Sequence, residues 1–412
     1  MYPVKQLKKI VLLVLSCLAC GHIVAQSDFK FIYPRQTEKI VFKKVRGLMV
    51  VQASINNKGP FNLILDTGVG IFLITDPTLR DSLTIKYLKK ITISGLGEQP
   101  DIQAHFTPTL KVQIGNTIAD ELPAAILDDD VFNLSAYAGI PIHGLIGYNF
   151  FASFIVHIFY ETQRINLYTN NLKKISKRYT KTPITIENNK PYCQISAETT
   201  SKKKYAVKML IDTGAGHVVS LETYNDVPFP LPTPNIAANL GIGLGGNIGG
   251  FLGRLNNIKI AKFTLNKPIC AFPNYKDVAL KSFSIARNGS IGNVLLKKFN
   301  VIFDYQNGFV YLKPNINFKS VFEHDMSGLE VFASGQNLDR IFVNRVEPNS
   351  PAEEIGLQKN DELRTINLKK VKEMSLEDII ALFQSQNNKN LFIEYEQNKT
   401  LKRAIITLKR RI

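Results

Sequence analysis

The chain has 412 residues and a formal net charge of +17, and 45% of its residues are hydrophobic. This length exceeds a typical single domain, so two or three domains are expected. The basic residues are spread along the chain and are not interleaved with aromatic side chains, which argues against nucleic-acid binding. Frequent Phe, Tyr and β-branched residues, together with many turn glycines, favour a β-rich class.

Residues 1–25 are predicted to be a signal peptide. Three lysines precede an apolar stretch at 10–19, and Ala25 offers a small residue just before the cleavage site. The stretch is short for a membrane span, and no later apolar run is long enough, so no integral span is expected after cleavage. We therefore expect an exported protein of the periplasm or cell envelope. The alternative is a lipoprotein acylated at Cys17 or Cys20.

The first element that carries chemistry is the run LILDTGVG at 63–70, where an apolar, strand-like stretch ends in a carboxylate. Asp and Gly are common in turns, so a single Asp-Thr-Gly triplet is weak evidence of a site. The same pattern returns as MLIDTGAG at 209–216. The two triplets consist of Asp66, Thr67, Gly68, Asp212, Thr213 and Gly214. Two copies of the same apolar run and triplet indicate an internal repeat.

Two further elements recur at matched distances from these aspartates. A glycine-rich turn between strand-like runs lies 29 residues after each of them (95 − 66 and 241 − 212) and is typical of a hairpin tip. The segment 144–168 aligns without a gap with 289–313, at an offset of 145 residues. The glycines predicted to lie in two substrate-covering hairpins, or flaps, are Gly95, Gly97, Gly243 and Gly245.

These three elements, in the same order in each half, resemble the retropepsin-like aspartic proteases in a duplicated, single-chain form over residues 29–314. The resemblance implies a mainly β, two-lobed fold with pseudo-two-fold symmetry. Lobe 1 would span 26–171 and lobe 2 would span 172–314. The resemblance also implies an endopeptidase that acts on a peptide or protein substrate without a metal or an organic cofactor.

The chemistry explains why a duplicated carboxylate is useful. Two carboxylates that share one proton can take a proton from water and give one to the substrate, which a single carboxylate cannot do at once. In the family the two aspartates, here Asp66 and Asp212, activate the water together. Thr67 and Thr213 would bond across to the opposite loop, and the glycines that follow them would let the two loops pass closely.

Two features of the sequence depart from the family pattern, and two alternatives to a single-chain protease are open. Val69 and Ala215 follow the triplets, where a hydroxyl is frequent in pepsin-like relatives, so a less acidic pH optimum is expected. The first glycine hairpin is also shorter and more polar than the second. The alternatives are a non-enzymatic peptide-binding protein on a protease-like fold, and lobes that pair between two chains.

Residues 320–412 resemble a bacterial PDZ domain, an α+β fold. The resemblance rests on Asn-Ser-Pro-Ala at 349–352, Gly-Leu at 356–357 and Asp-Glu-Leu at 361–363. Pro351 suits a helix start, and Asn360 replaces a common Gly at a position where Asn tolerates a left-handed backbone. The implied ligand is a C-terminal peptide, and the alternative is a structural brace with an empty groove. The predicted binding residues are Gly328, Leu329, Glu330 and Val331.

The cysteines and histidines carry little further signal. After cleavage two cysteines remain, Cys193 and Cys270, which either form a disulfide in an oxidising compartment or stay as two buried thiols. The histidines are scattered, with no pair at ligand spacing on an evident helix, so no metal site is predicted.

Overall fold

The computed structural model describes residues 28–34, 37–85, 88–93, 102–169, 175–243, 246–279 and 286–412. The predicted signal peptide lies outside these residues, and so do the predicted flap residues Gly95, Gly97 and Gly245. The described part is mainly β, as the composition predicts. No helix in the described ranges is both long and apolar enough to cross a bilayer.

The first half forms a closed sheet. The elements in chain order are β1 (Lys30–Phe31), β2 (Thr37–Val41), β3 (Lys43–Val45), β4 (Leu48–Ile55), β5 (Lys58–Leu65), β6 (Phe72–Ile74), α1 (Leu79–Ser82), β7 (Lys89–Ile93), β8 (Ile102–Ile114), β9 (Thr117–Leu127), α2 (Leu134–Ala138), β10 (Gly144–Ile146), α3 (Tyr148–Ser153), β11 (Ile155–Phe159) and β12 (Arg164–Tyr168). The sheet order is β1-β9-β6-β10-β5-β4-β8-β7, and β9 also pairs with β8, which closes the sheet on itself.

The second half repeats this arrangement. Its elements are β13 (Thr180–Pro183), β14 (Thr185–Glu187), β15 (Lys190–Glu198), β16 (Lys204–Ile211), β17 (Val219–Leu221), β18 (Thr223–Tyr224), β19 (Val227–Pro228), β20 (Asn235–Gly243), β21 (Gly246–Arg254), β22 (Asn257–Ile260), β23 (Phe263–Asn266), β24 (Ile269–Pro273), α4 (Tyr275–Ala279), β25 (Gly289–Ile291), α5 (Asn293–Leu296), β26 (Phe299–Asp304) and β27 (Phe309–Pro314). The sheet order is β20-β21-β24-β17-β25-β16-β15-β22-β23.

Equivalent strands pair in the same way in both halves. The strand that leads into each aspartate runs parallel to a short strand from the Ile-Gly segment: β5 to β10 and β16 to β25. That short strand is antiparallel to β6 in the first half and to β17 in the second. The repeat seen in the sequence is therefore a repeat of strand pairing.

One sheet is shared by the two halves. Its order is β13-β27-β26-β11-β12-β2, and β11 meets β26 at the centre. At this junction His157 pairs with Ile302, which are equivalent positions at the offset of 145 residues. A pair of equivalent residues that meet each other must lie on the two-fold axis relating the halves. The largest hydrophobic core runs through both halves on either side of this sheet.

The C-terminal unit has its own sheet and core. Its elements are β28 (Leu329–Ser334), β29 (Arg340–Val346), α6 (Pro351–Glu354), β30 (Glu362–Ile366), β31 (Lys369–Lys370), a 3-10 turn (Val371–Glu373), α7 (Leu376–Phe383), β32 (Asn390–Gln397) and β33 (Thr400–Thr407). The order β28-β29-β30-β32-β33 leaves β28 at the end of the sheet. Helix α6 begins at Pro351, and Asn360 adopts φ +73°, as the sequence predicts.

The connection between the second half and the C-terminal unit is packed and ordered. Phe318 packs edge-to-face against Phe263 and Phe299 of the second half. Phe322 and the last residue, Ile412, are buried in the large core that the two halves share. The C-terminal unit is therefore attached to the two halves by apolar contacts at both of its ends.

Candidate active site

The two predicted catalytic aspartates each lie at the end of a strand. The backbone N–H of Asp66 donates to Ile146 O, and that of Asp212 donates to Ile291 O, both at 2.9 Å. These bonds extend the β5–β10 and β16–β25 ladders by one residue and hold each aspartate in place. The Ile-Gly segments therefore position the two triplets in the same way in both halves.

The two triplets meet face to face. A Cβ built on Gly68 would lie 3.0 Å from the Asp212 carboxyl, and one built on Gly214 would overlap the Asp66 carboxyl. Each loop therefore passes the opposite carboxylate so closely that only a residue without a side chain fits. The structure brings together all six triplet residues that the repeat predicts.

The threonines connect the two loops by reciprocal hydrogen bonds. Thr67 N donates to Thr213 Oγ1 at 3.0 Å, and Thr213 N donates to Thr67 Oγ1 at 2.9 Å. Each hydroxyl then donates across the axis, Thr67 Oγ1 to Ile211 O at 2.7 Å and Thr213 Oγ1 to Leu65 O at 2.9 Å. Both threonines are fully buried, so these four bonds are shielded from water and fix the relative position of the loops.

The carboxyl groups of Asp66 and Asp212 interact directly, at a site that is partly shielded from solvent. Gly68 N donates to Asp66 Oδ1 at 2.7 Å, and Gly214 N donates to Asp212 Oδ1 at 3.0 Å. Burial, followed by the nearby negative charge of Asp212, raises the pKa of Asp66 well above its usual range. The Gly68 N–H and the positive charge of Lys190 oppose this shift. Burial and the closeness of the two carboxyls therefore favour one shared proton on the pair.

Charged residues that the sequence analysis did not single out surround the second carboxylate. Arg287 donates to Glu222 through two nitrogens, at 3.0 and 3.1 Å; Glu222 is buried, and Arg287 is 14% exposed. Lys190 begins β15, beside the turn whose Asn189 Nδ2 donates to Gly70 O of the first catalytic loop. An alignment of the two halves could have pointed to these residues. Lys190 and Arg287 stand where the first half has the apolar side chains of Leu48 and Ile142.

The predicted flap glycines are only partly described. Gly243 ends β20 and pairs with Gly246 of β21, so the second glycine-rich segment does form a hairpin. Strands β7 and β8 form the first hairpin, whose tip lies outside the described residues. Asn239 Nδ2, in the second hairpin, donates to Glu330 Oε1 of the C-terminal unit at 3.0 Å.

The predicted peptide-binding residues of the C-terminal unit, Gly328 to Val331, form the start of the edge strand β28. Two of their backbone N–H groups are already occupied: Gly328 N donates to Asp325 Oδ1 at 2.8 Å, and Leu329 N donates to Ser327 Oγ at 3.0 Å. Ser327 N also donates to Asp325 Oδ1, at 2.9 Å. Asp325 and Ser327 therefore already accept two of the N–H groups predicted to bind a terminal carboxylate.

The described residues contain no cluster of His, Cys, Asp and Glu that could hold a metal ion. Cys193 and Cys270 are both buried, and the structure has them as free thiols. Burial raises the pKa of Cys193 to about 12 and also raises that of Cys270. Neither thiol is therefore suited to act as a nucleophile at neutral pH.

Comparison with known families agrees with this architecture. Residues 51–150 match the family model described as aspartyl protease, and residues 342–397 match the family model described as PDZ domain. The chain thus has an aspartyl-protease-like domain, which is retropepsin-like, followed by a C-terminal PDZ domain. The mainly β, protease-plus-PDZ layout expected from the sequence is confirmed.

Other comparisons add little. No curated protein matches the chain. One similar solved structure is titled photosystem II D1 C-terminal processing protease, with 22% identity and a TM-score of 0.20. The match covers 21% of this chain and 23% of that one, so the chain spans less than a quarter of its length. A likeness at this TM-score carries no structural argument.

Proposed function

We propose that the protein is an aspartic endopeptidase that hydrolyses peptide bonds through the Asp66 and Asp212 pair. The observation that carries this proposal is the reciprocal bonding of Thr67 and Thr213, which holds two carboxylates against each other at the two-fold axis. A binding protein has no need of two like charges held against each other, which disfavour the folded state unless they share a proton. The aspartyl-protease family match at 51–150 supports the same class.

The arrangement allows a general acid–base mechanism. Asp212, as the carboxylate, would accept a proton from a water molecule, whose oxygen then attacks the peptide carbonyl carbon. Asp66, as the carboxylic acid, would give its proton to the carbonyl oxygen. The resulting tetrahedral intermediate collapses when the C–N bond breaks: the amine nitrogen takes the proton held by Asp212, and Asp66 recovers a proton from a hydroxyl of the intermediate as the new carboxyl group forms. No covalent bond to the enzyme forms at any stage.

The protonation of Asp66 sets the direction of the pH dependence. The mechanism needs one proton on the pair. Because burial and the charge of Asp212 raise the pKa of Asp66, its proton is retained at less acidic pH than in an exposed carboxyl. We therefore propose that activity extends toward neutral pH.

We also propose that the protein is exported to the periplasm or the cell envelope. This proposal rests on the lysine-rich start and the apolar stretch at 10–19, followed by a small residue at Ala25. N-terminal sequencing of the mature protein would test it. A start at residue 26 supports a cleaved signal peptide, an acylated start at Cys17 or Cys20 supports a lipoprotein, and an intact Met1 contradicts export by either route.

The experiment for the activity is cleavage of a peptide library, read by mass spectrometry, with the wild type, Asp66→Asn and Asp212→Asn. Each variant should lose about 10²–10⁴-fold in turnover because the shared proton is lost. Asp120→Asn is the matched control, since its carboxylate is exposed in a surface ion pair. Cleavage that survives in either active-site variant contradicts the shared-proton mechanism.

Two further outcomes separate the alternatives. Peptides that bind to the wild type without being cleaved would indicate a non-enzymatic peptide-binding protein. Activity that returns when the two inactive variants are mixed would indicate that lobes pair between chains. We expect neither, because the two aspartates already meet within one chain.

A further inference from the structure

The PDZ domain meets lobe 1 with the surface that its class uses to bind peptides. Such domains take up an extended peptide at the open edge of one strand, beside a helix. Here the strand is β28, which pairs with β29 on one side only among the described strands. The helix is α7. The inward-facing side chains of β28, Leu329, Val331 and Ala333, have exposed fractions of 6%, 2% and 0%. These side chains belong to the core of the PDZ domain itself, so the contacts of lobe 1 show what covers the groove.

Lobe 1 supplies the cover. Helix α2 packs on β28, and a Cβ built on Gly139 would lie 3.0 Å from Leu376 Cβ of α7 and 3.7 Å from Ala333 Cβ of β28. The residue after α2 thus sits between the strand and the helix, where a peptide side chain would enter. The predicted carboxylate-binding loop is partly occupied as well, because Asp325 accepts the N–H group of Gly328 and Ser327 Oγ accepts that of Leu329.

Arg46 occupies the open edge itself. It lies in the turn between β3 and β4, and its Nη1 donates to Val331 O of β28 at 3.2 Å and to Tyr137 O at 3.0 Å. The guanidinium carbon lies 3.9 Å from the centre of the Tyr137 ring. On the helix side, Glu377 accepts from the backbone N–H of Arg46 at 2.6 Å and pairs with Lys44 at 3.2 Å.

The same turn also touches the second catalytic loop. A Cβ built on Gly216, four residues after Asp212, would lie 3.7 Å from Arg46 O and 3.5 Å from Tyr137 Oη. Asn293, just after the second Ile-Gly segment, donates through Nδ2 to Gly47 O. The β3–β4 turn therefore lies between the PDZ domain and the loop that carries Asp212.

We propose that the binding edge of the PDZ domain is occupied in cis by lobe 1, and that this docking holds the second catalytic loop in place. Arg46 is the positioning residue that joins the two surfaces. The partner of the PDZ groove is thus this chain's own β3–β4 turn and α2. An extended peptide would have to displace Arg46 before it could add to β28. The effect on catalysis rests on the proposed protease function, whereas the docking does not.

The test is hydrogen exchange of the full chain, read by mass spectrometry in three segments: 134–139, 212–218 and 329–334. In Arg46→Ala, exchange should rise about tenfold or more in all three segments, because the edge, the helix and the catalytic loop lose a common support. Arg46→Lys keeps the charge and should restore part of the protection. Arg403→Ala is the matched control, since Arg403 bonds only to Glu394 within the PDZ domain in the described structure.

Each outcome decides one part of the proposal. Unchanged exchange at 329–334 overturns the docking, and increased exchange at 329–334 with an unchanged 212–218 overturns the connection to the catalytic loop. Exchange in β11 and β26 reports whether the variant is folded. If Arg46→Ala does not fold, Glu377→Ala tests the same interface from the PDZ side, because its side chain is one-third exposed.

Activity is measured separately. With a short peptide substrate, Arg46→Ala should lower kcat about tenfold and leave KM within about twofold, since the loop moves while the cleft remains. A wild type that cleaves nothing contradicts the proposed protease function, and the exchange data still decide the docking. A shift in KM alone contradicts a positioning role for Arg46.

Discussion

The two lobes present the same two carboxylates in different surroundings. In lobe 1, the region beside the first strands is an apolar cluster covered by α2, and its buried members outside α2 are Val45, Leu48, Val50, Ile64 and Ile142. The equivalent positions in lobe 2, by strand register and hydrogen bonding, are Glu187, Lys190, Tyr192, Leu210 and Arg287. One lobe therefore supports its catalytic loop with packing, and the other with charge.

This difference follows from what each lobe contacts. The apolar cluster of lobe 1 continues into α2, which the PDZ domain covers. Lobe 2 has Arg287 and Glu222 paired at the equivalent place, where Glu222 replaces Thr75. The comparison teaches that a repeat can preserve the reacting groups and the residues that clamp them while everything one layer further out diverges.

The largest expected effect comes from breaking the buried charge pair of lobe 2. Arg287→Met should destabilise the protein by about 3–5 kcal/mol, because it leaves Glu222 buried without its cation. The equivalent change in lobe 1, Ile142→Val, should cost only about 0.5–1.5 kcal/mol. Urea unfolding of both variants measures the difference, and equal losses would mean that the charge pair is not what supports lobe 2.

The threonine clamp should behave alike in both lobes. Thr67→Val and Thr213→Val each remove one hydroxyl that donates to a buried carbonyl and accepts a buried N–H, so each should cost about 2–3 kcal/mol. Thermal unfolding should show matched losses. Thr117→Val, a buried threonine with one local bond to Ile114 O, should cost about 1 kcal/mol. A clear inequality between the first two variants would show that the clamp is not symmetric.

We expect the positive charge of Lys190 to affect the pH dependence of the reaction. Its positive charge lowers the pKa of Asp66, in opposition to burial. In Lys190→Met the pKa of Asp66, the acid of the proposed mechanism, rises, so the basic limb of the pH–rate profile should move to higher pH. The equivalent change in lobe 1, Leu48→Met, should leave the limb in place. A limb that moves equally in both variants would contradict an electrostatic role for Lys190.

The smallest effect is expected from the residue after each triplet. A hydroxyl at Val69 or Ala215 that bonds the adjacent carboxylate would stabilise its charged form and lower its pKa. In Val69→Thr and Ala215→Thr the acid limb should therefore move to lower pH. The control for Val69→Thr is the wild type, and the control for Ala215→Thr is Ala215→Val, because Val and Thr have nearly the same shape. These controls separate the effect of the hydroxyl from that of side-chain volume. An acid limb that is unchanged in both threonine variants would contradict stabilisation of the carboxylate by a hydroxyl at these positions.

Most of the site was predictable from the sequence because its parts are local and occur twice. The triplets at 66–68 and 212–214 define strand ends by themselves, and the Ile-Gly segments follow at nearly equal distances. Turn chemistry was also readable, as the left-handed Asn360 shows. The surrounding charges were not predicted, because a single Lys190 or Arg287 in a basic chain has no local pattern that marks it as buried.

The sequence alone determined the two-fold repeat, the pair of aspartates and the protease-plus-PDZ order, since strand ends, glycine turns and helix starts are set by neighbouring residues. Only the tertiary structure decided that Arg46 lies on the edge of β28 and that Asp325 accepts the N–H group of Gly328. Arg46 and Val331 are 285 residues apart in the chain. Contacts at that separation depend on how whole sheets pack, and no spacing in the sequence records that.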